Sequence, residues 1–306
     1  MTLLQLRFLR EIARQSLNMS AAARTLNTSQ PSISRQIQQL EAELGVELLA
    51  RQRNRITGFT EAGHAVLAMA TRSLSEIESI ASYAADLTGQ RGRLTLAASH
   101  LHARFMLAKP VVAFNRAHPN VTLHMRQVEP NAITRLVADG EADIGISTER
   151  ATDEASLLSL SLGLLHRSLI TPKGHPLAQA RSVTLADIAR FPIVGYNERS
   201  RTGELLAAAF RDAGLNPHYV VSGSDADVIK VYVAAGLGVA IVPSVAVDGT
   251  PAALVARDVT KLLPRTQTVL SMRRNDYLPR HLAAFVSILA PQWNRTRLER
   301  AMMAKG

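Results

Sequence analysis

Residues 28–45 read Thr-Ser-Gln-Pro-Ser-Ile-Ser-Arg-Gln-Ile-Gln-Gln-Leu-Glu-Ala-Glu-Leu-Gly, with Ile33, Ile37, Leu40 and Leu44 at i, i+4, i+7 and i+11. At ~100° per residue this spacing draws one apolar stripe along a helix. Ser29 is a suitable N-cap, and Pro31 fits the first turn because its missing N–H would be unpaired there anyway. Gly45 ends the helix. The same rotation turns Pro31, Arg35 and Gln38 to the opposite side, flanked by Ser34 and Gln39. That face is small, polar and cationic.

Upstream, Leu3, Leu6, Leu9 and Ile12/Ala13 recur at helical spacing, and a short second run follows Ser20, read as an N-cap for Ala21–Leu26. Asn27 closes that run in a left-handed conformation. Downstream, Leu48-Leu49 followed by Arg51, Arg53, Asn54 and Arg55 reads as a short hairpin with a basic tip. Three short helices and a basic wing are the parts of a winged helix-turn-helix, in which the second helix of the helix-turn-helix pair, here the third of the chain, enters the DNA major groove. In that role Ser29, Gln30, Pro31, Ser32, Ser34, Arg35 and Gln38 present the reading face. Arg35 suits guanine O6/N7, and Gln30 or Gln38 suits adenine N6/N7. Arg51, Arg53 and Arg55 suit phosphates, which hold register without reading sequence. An ordinary surface helix is the alternative reading of the same pattern.

The whole chain has 306 residues, room for about two domains. Hydrophobic residues make up 47% and charged residues 20%, an ordinary globular balance. With 35 Lys+Arg against 25 Asp+Glu the formal charge is +10, which favours polyanions or small anions as partners. The absence of cysteine excludes disulfides, Cys-ligated zinc, iron–sulfur clusters and thiol nucleophiles. Arg7, Arg10 and Glu11 interrupt any export signal, and the longest uncharged stretch, 231–247, carries Gly236, Gly238 and Pro243 and falls short of the ~20 apolar residues of a membrane helix. A cytoplasmic protein without a membrane anchor is expected.

From Thr60, another N-cap, a helix is predicted to about Leu87, with Leu67, Ala70, Leu74, Ile77, Ala81 and Ala84 spaced alternately three and four. Such a seam calls for a partner helix, although an amphipathic segment lying on its own domain has the same pattern. Gly89-Gln90-Arg91-Gly92 then serves as a hinge. Beyond it, strands at 94–98, 121–125, 144–147, 168–171, 193–194, 218–222 and 239–242 alternate with helices, including 202–213 and 225–235. This rhythm predicts parallel sheets in two α/β lobes. A late strand at 266–272 and a helix over 279–293 return to the first lobe. The predicted organisation is a winged helix-turn-helix over 1–59, a linker helix over 60–88 and an α/β domain over 89–306. Within the last, lobe I spans about 93–164 and 267–295, and lobe II about 165–266.

The run Ala21-Ala22-Ala23 through Leu26, Thr28 through Ile37, Leu40-Glu41, Leu44-Gly45, Leu48-Leu49, Arg51 and Thr60-Glu61-Ala62-Gly63 resembles the LysR-type transcriptional regulators. Downstream, Ser99-His100 with Ala103-Arg104, Gly140 through Ile146, Gly174-His175-Pro176-Leu177 and Asp225 through Lys230 are similar to the CysB-like subgroup, which controls sulfur assimilation. The resemblance covers essentially the whole chain. It implies a winged helix-turn-helix on double-stranded DNA, a dimerising linker helix, and a periplasmic-binding-protein-like effector domain of two Rossmann-like lobes. It also implies a homotetramer and RNA polymerase as a further partner. In the subgroup the effector site holds sulfate or an acetylserine-type inducer. This chain departs from the pattern at Leu101 and His102, where the family has Thr and Gln, and at Arg201, which replaces a Thr.

Position supports the same cleft independently. Ser99 closes the first strand just before a helix, where free N–H groups and a hydroxyl seat an anion. Thr148 ends a neighbouring strand, and Ser200, Arg201 and Thr202 precede a helix of the other lobe, so all converge at the strand ends. With His100, Leu101 and His102 these form the candidate effector set. Ser99 and Thr148 also fit a local role satisfying backbone groups. His100-x-His102 admits metal, but no HExxH or comparable third ligand accompanies it, and no cofactor is expected. Asp225 and Asp227 read as a helix start, with a metal pair as the alternative. Gly236-Leu237-Gly238 lacks the third glycine of a dinucleotide loop. Neither GxSxG nor GxxxxGK occurs, so an enzyme is not expected. A cytosolic α/β enzyme or a solute-binding protein for a small anion are the rivals. The latter leaves residues 1–60 unexplained.

Overall fold

A computed structural model describes residues 1–53, 55–88, 92–148, 156–197, 200–248, 252–274 and 276–304, the side chain of Ala85 excepted. Residues 89–91 of the anticipated hinge and Asn54 of the wing lie outside the described residues. The contacts divide the chain into two units. One is built mainly on Met1–Gly92, the other on Arg93–Ala138, Ala142–Arg274 and His281–Gly306.

The first unit contains α1 (Leu3–Arg14), α2 (Met19–Thr25), α3 (Gln30–Leu44), β1 (Leu49–Gln52), β2 (Arg55–Phe59) and α4 (Glu61–Thr88). Thr2 and Gln5 form a capping box at the start of α1. The cap of α2 is Asn18, whose Oδ1 accepts the Ala21 N–H at 2.9 Å, and not Ser20. Asn18 already has extended backbone, so the helix begins two residues earlier and Ser20 falls inside its first turn. Asn27 takes the left-handed conformation at φ 51°, Ser29 caps α3, and Gly45 ends it at φ 71°. Ile33, Ile37 and Leu40 are fully buried with Leu6, Leu9, Ile12, Ala22 and Leu48. Leu44 is 38% exposed, because the stripe outruns the small core behind it.

Glu41 joins the helices to the hairpin. Its Oε1 accepts the N–H groups of Leu48 and Leu49 at 2.9 and 3.0 Å, and its Oε2 pairs with Arg51 Nη2 at 2.9 Å. Thr60 donates to the Glu47 carbonyl and accepts from the Gly63 N–H. A Cβ at Gly63 would stand 2.0 Å from the Leu48 carbonyl oxygen, so only glycine lets α4 start this close to the hairpin. The expected seam of α4 is divided. Ala70 and Leu74 are buried in this unit's own core, whereas Ala81 and Ala84 are exposed. The large apolar side chains left exposed, Met69, Ile80, Tyr83 and Leu87, share a different face, rotated roughly 110° from the seam at 100° per residue.

The second unit begins with β3 (Gly92–Ala98), one wide π-helical turn over His102–Met106, α5 (Ala108–Ala117), β4 (Val121–Gln127), α6 (Pro130–Ala138), β5 (Ile144–Thr148) and β6 (Leu157–Leu164). Lobe II follows with β7 (Arg167–Pro172), α7 (Pro176–Gln179), α8 (Leu185–Ala189), β8 (Ile193–Tyr196), α9 (Arg201–Asp212), β9 (Tyr219–Gly223), α10 (Ala226–Ala234), β10 (Ala240–Pro243) and β11 (Leu254–Asp258). The chain then makes β12 (Gln267–Arg273), α11 (Arg280–Leu289) and α12 (Arg295–Met303).

Lobe I is a five-stranded sheet in the order β4-β3-β5-β12-β6. The late strand does return to it. It enters antiparallel between β5 and β6, with Thr268 opposite both Thr148 and Gly163, so the sheet is mixed and not wholly parallel. Lobe II likewise combines the parallel pair β8–β9 with an antiparallel sheet β10-β7-β11. Two strands were not anticipated. In β6, Leu158, Leu160 and Leu162 alternate with Ser159 and Ser161, the period-two signal of a strand. β11 is short and carries Arg257 and Asp258, as a sheet edge does. Among the described residues no helix is long and apolar enough to cross a membrane.

Candidate functional site

On α3 the chemistry follows from what the buried stripe leaves outside. Ser29, Gln30, Pro31, Arg35 and Gln38 are exposed, and Ser32 and Ser34 are half-buried beside them. Ser29 Oγ accepts the Ser32 N–H at 3.3 Å, which fixes the first turn and holds Gln30 and Pro31 outward. On the hairpin, Arg51, Arg53 and Arg55 are all exposed. They are not equivalent: Arg51 is tied to Glu41, while Arg53 sits at the tip with φ 47°.

In the second unit, strands from both lobes end at one cleft of about 730 Å³. Its lining includes Ser99, His100 and Leu101 after β3, Thr148 ending β5, and Ser200, Arg201 and Thr202 at the start of α9. Seven of the eight candidate effector residues therefore share one cavity. His102 does not. Its side chain is fully buried behind the lining, with Nδ1 2.7 Å from Ser99 Oγ and Nε2 3.5 Å from Thr268 Oγ1. Burial, reinforced by the positive charge of Arg167, holds its pKa down to about 4, so it is neutral at pH 7. The residue that replaces the family's Gln thus supports Ser99 from behind. The alternating geometry of an extended His100-x-His102 is absent because the chain is already turning there.

Phe105, Gln127, Glu129, Tyr196 and Ser224, none of them a candidate from sequence, also line it, together with Asp225, which was expected only as a helix start. Gln127 and Tyr196 end β4 and β8, and Ser224-Asp225 follow β9. The strand-end argument that located Ser99 and Thr148 therefore reaches them too. Asp225 caps α10, accepting the Val228 N–H at 2.9 Å. Gln127 donates to His100 Nδ1 at 2.5 Å, and this leaves the imidazole proton on Nε2. That nitrogen is buried and has no acceptor among the described residues.

One ring nitrogen of His100 and carboxylate oxygens of Asp225 and Asp227 lie within 4.8 Å of one another. This is not a ready metal site, because Asp227 is already held by two cations. Lys230 Nζ lies 2.9 Å from its carboxylate, and Arg104 of lobe I contacts it directly. Burial pushes the Asp227 carboxyl upward, but Lys230 and Arg104 outweigh it and leave the pKa below the ordinary value. The Arg104–Asp227 pair spans the lobes. Phe105 lies beneath Lys230 Nζ, 5.1 Å from the ring centroid.

A family model described as bacterial regulatory helix-turn-helix protein, lysR family, matches residues 3–64. A second, described as LysR substrate binding domain, matches residues 88–294. The chain is 36% identical over 304 residues to the HTH-type transcriptional regulator CysB of Burkholderia cenocepacia, covering 99% of this chain and 97% of that protein. It resembles the crystal structure of the cofactor-binding domain of the Cbl transcriptional regulator at 31% identity and a TM-score of 0.64, over 70% of this chain and 94% of that one. Full-length CbnR complexed with its target DNA matches at 25% identity and a TM-score of 0.60, over 94% of this chain and 99% of that one.

Proposed function

The chain belongs to the LysR family of DNA-binding transcriptional regulators, and from that premise we propose that α3 reads base edges while a small anionic effector in the inter-lobe cleft switches the response. The carrying observation is the division of α3: Ile33, Ile37 and Leu40 have no exposure, and Gln30, Pro31, Arg35 and Gln38 are all outside. A helix needed only for packing has no use for a face of small and amide side chains around one arginine. Ser29, Ser32 and Ser34 shape the approach, and Arg51, Arg53 and Arg55 meet phosphates. The effector contacts Ser99, His100, Leu101, Thr148, Ser200, Arg201 and Thr202, with the unpaired His100 Nε2 donor favouring an anion.

The protein works in the cytoplasm on double-stranded DNA, in sulfur metabolism, as a homodimer through α4 and a homotetramer, with RNA polymerase as a downstream partner. The exposed Met69, Ile80, Tyr83 and Leu87 of α4 favour pairing with a second copy. A ligand shifts the DNA-bound state only through unequal affinity for two lobe arrangements, so contacts to both lobes are required. The test is a footprint of the purified protein on its own upstream promoter. Two protected half-sites about 34–36 Å apart, centre to centre, are expected. Protection that is absent at low ionic strength overturns the reading.

A further inference from the structure

A bare inorganic oxyanion leaves most of this cleft unused. Its volume of about 730 Å³ lies within the roughly 300–1,000 Å³ of pockets that take organic ligands. Leu101 and Phe105 follow the Ser99-His100 turn directly, line the cavity one turn apart, and pack against the hydrophobic core of lobe II. Val128, Pro130, Ala226 and Pro243 extend this apolar wall. Hydroxyls of Ser99, Thr148 and Thr202 and the Arg201 guanidinium supply donors on the same lining, while the Ser200 hydroxyl already donates to the Asn197 carbonyl. Glu129 and Asp225 stand there as well, so a second negative charge on the ligand meets repulsion.

Resting on the reading of this cleft as the effector site, we propose that its ligand is an organic monoanion with an apolar body. The sulfonate or carboxylate head lies on the hydroxyl and guanidinium donors, and the hydrocarbon lies on Leu101 and Phe105. Leu101, where the family pattern has Thr, is then a specificity-determining residue.

The test is a thermal-shift and calorimetric series on the full-length protein. Inorganic sulfate is compared with n-alkanesulfonates from methane to hexane and with n-alkanoates of matched length, the two series separating the head groups. Affinity is expected to rise about fourfold per methylene over the first few carbons, the ratio that ~0.8 kcal/mol per buried CH₂ converts to. Leu101→Thr is expected to flatten that dependence. Sulfate binding at least as tightly as the longest chains overturns the inference and leaves the effector cleft standing. A lack of binding by sulfate and both series overturns the cleft reading as well. The wild-type series decides the matter even if the variant folds poorly.

Discussion

The reading helix and the effector cleft are built in opposite ways. α3 takes its whole functional face from fifteen consecutive residues, Gln30–Leu44, and one rotation angle separates its buried side from its exposed side. The cleft draws on the ends of β3, β4, β5, β8, β9 and β10, elements spread from Ser99 to Pro243. In the first, side-chain identity and burial are set locally. In the second, each side chain is brought to the cavity by a sheet whose strand order does not follow the sequence.

The largest expected effect concerns the local construction. Ile37→Ala removes a fully buried side chain that α1 and α2 pack around, and is expected to cost about 2–5 kcal/mol of stability and with it all DNA binding. Leu44→Ala, on the same stripe but 38% exposed, is expected to cost a small fraction of that. Chemical denaturation of the two variants decides it. Equal losses would mean that the stripe ends later than the burial of these residues implies.

That contrast also locates what was legible in the sequence. The stripe, Ser29, Asn27 and Gly45 are readable because capping and periodicity act within a few residues. Leu44 and the division of the α4 seam were not, because a heptad pattern gives the apolar positions without saying which of them the domain's own core consumes. Ser99 and Thr148 were placed by strand-end logic. Phe105, Gln127 and Glu129 were not singled out; β6 was legible in its Leu/Ser alternation, but the antiparallel entry of β12 beside it was not anticipated. Strand pairing between residues more than a hundred positions apart leaves no local trace. His102 shows the same limit from the other side: its spacing from His100 says nothing of the Thr268 side chain 3.5 Å from its ring.

His102 also separates the two regions by pH. Its native pKa lies near 4 against 6.5 for an unperturbed imidazole. Between those values the unfolded chain binds a proton that the native unit does not. Stability is therefore fully present above about pH 6.5, falls as pH is lowered through the window, and loses nothing further to this group below 4. By pH 5 the loss is about 2 kcal/mol. The single tryptophan, Trp293, belongs to this unit and reports its unfolding by fluorescence. His102→Gln lowers stability at pH 7 but is expected to abolish that part of the pH slope. A slope identical to wild type would place the acid sensitivity elsewhere.

For DNA recognition, Arg35→Ala is expected to remove about 1–3 kcal/mol of discrimination at one base position per half-site while leaving nonspecific binding nearly intact. Competition between the operator and scrambled DNA measures it. An equal loss on both DNAs would turn Arg35 into a phosphate contact and weaken the distinction between the helix face and the wing.

The smallest effect sharpens the distinction within the wing itself. Arg51 shares its charge with Glu41, so removing it also leaves a buried carboxylate oxygen without its cation, and stability and binding fall together. Among the described residues Arg53 makes no such ion pair, and its φ of 47° disfavours any residue with a Cβ. A left-handed residue costs about 1–2 kcal/mol, of which glycine's extra freedom in the unfolded chain cancels roughly 0.5–1 kcal/mol. Arg53→Gly is therefore expected to stabilise the first unit by about 1 kcal/mol or less. At the same time it weakens binding to all DNA sequences and lowers the slope of log K against log salt by about 0.9, the effect of one lost phosphate contact. A more stable protein that binds every sequence less tightly is the signature of an arginine kept at the tip for its charge, against the preference of the turn. If the salt slope does not change, the tip does not touch DNA, and the phosphate contacts of the wing reduce to Arg51 and Arg55.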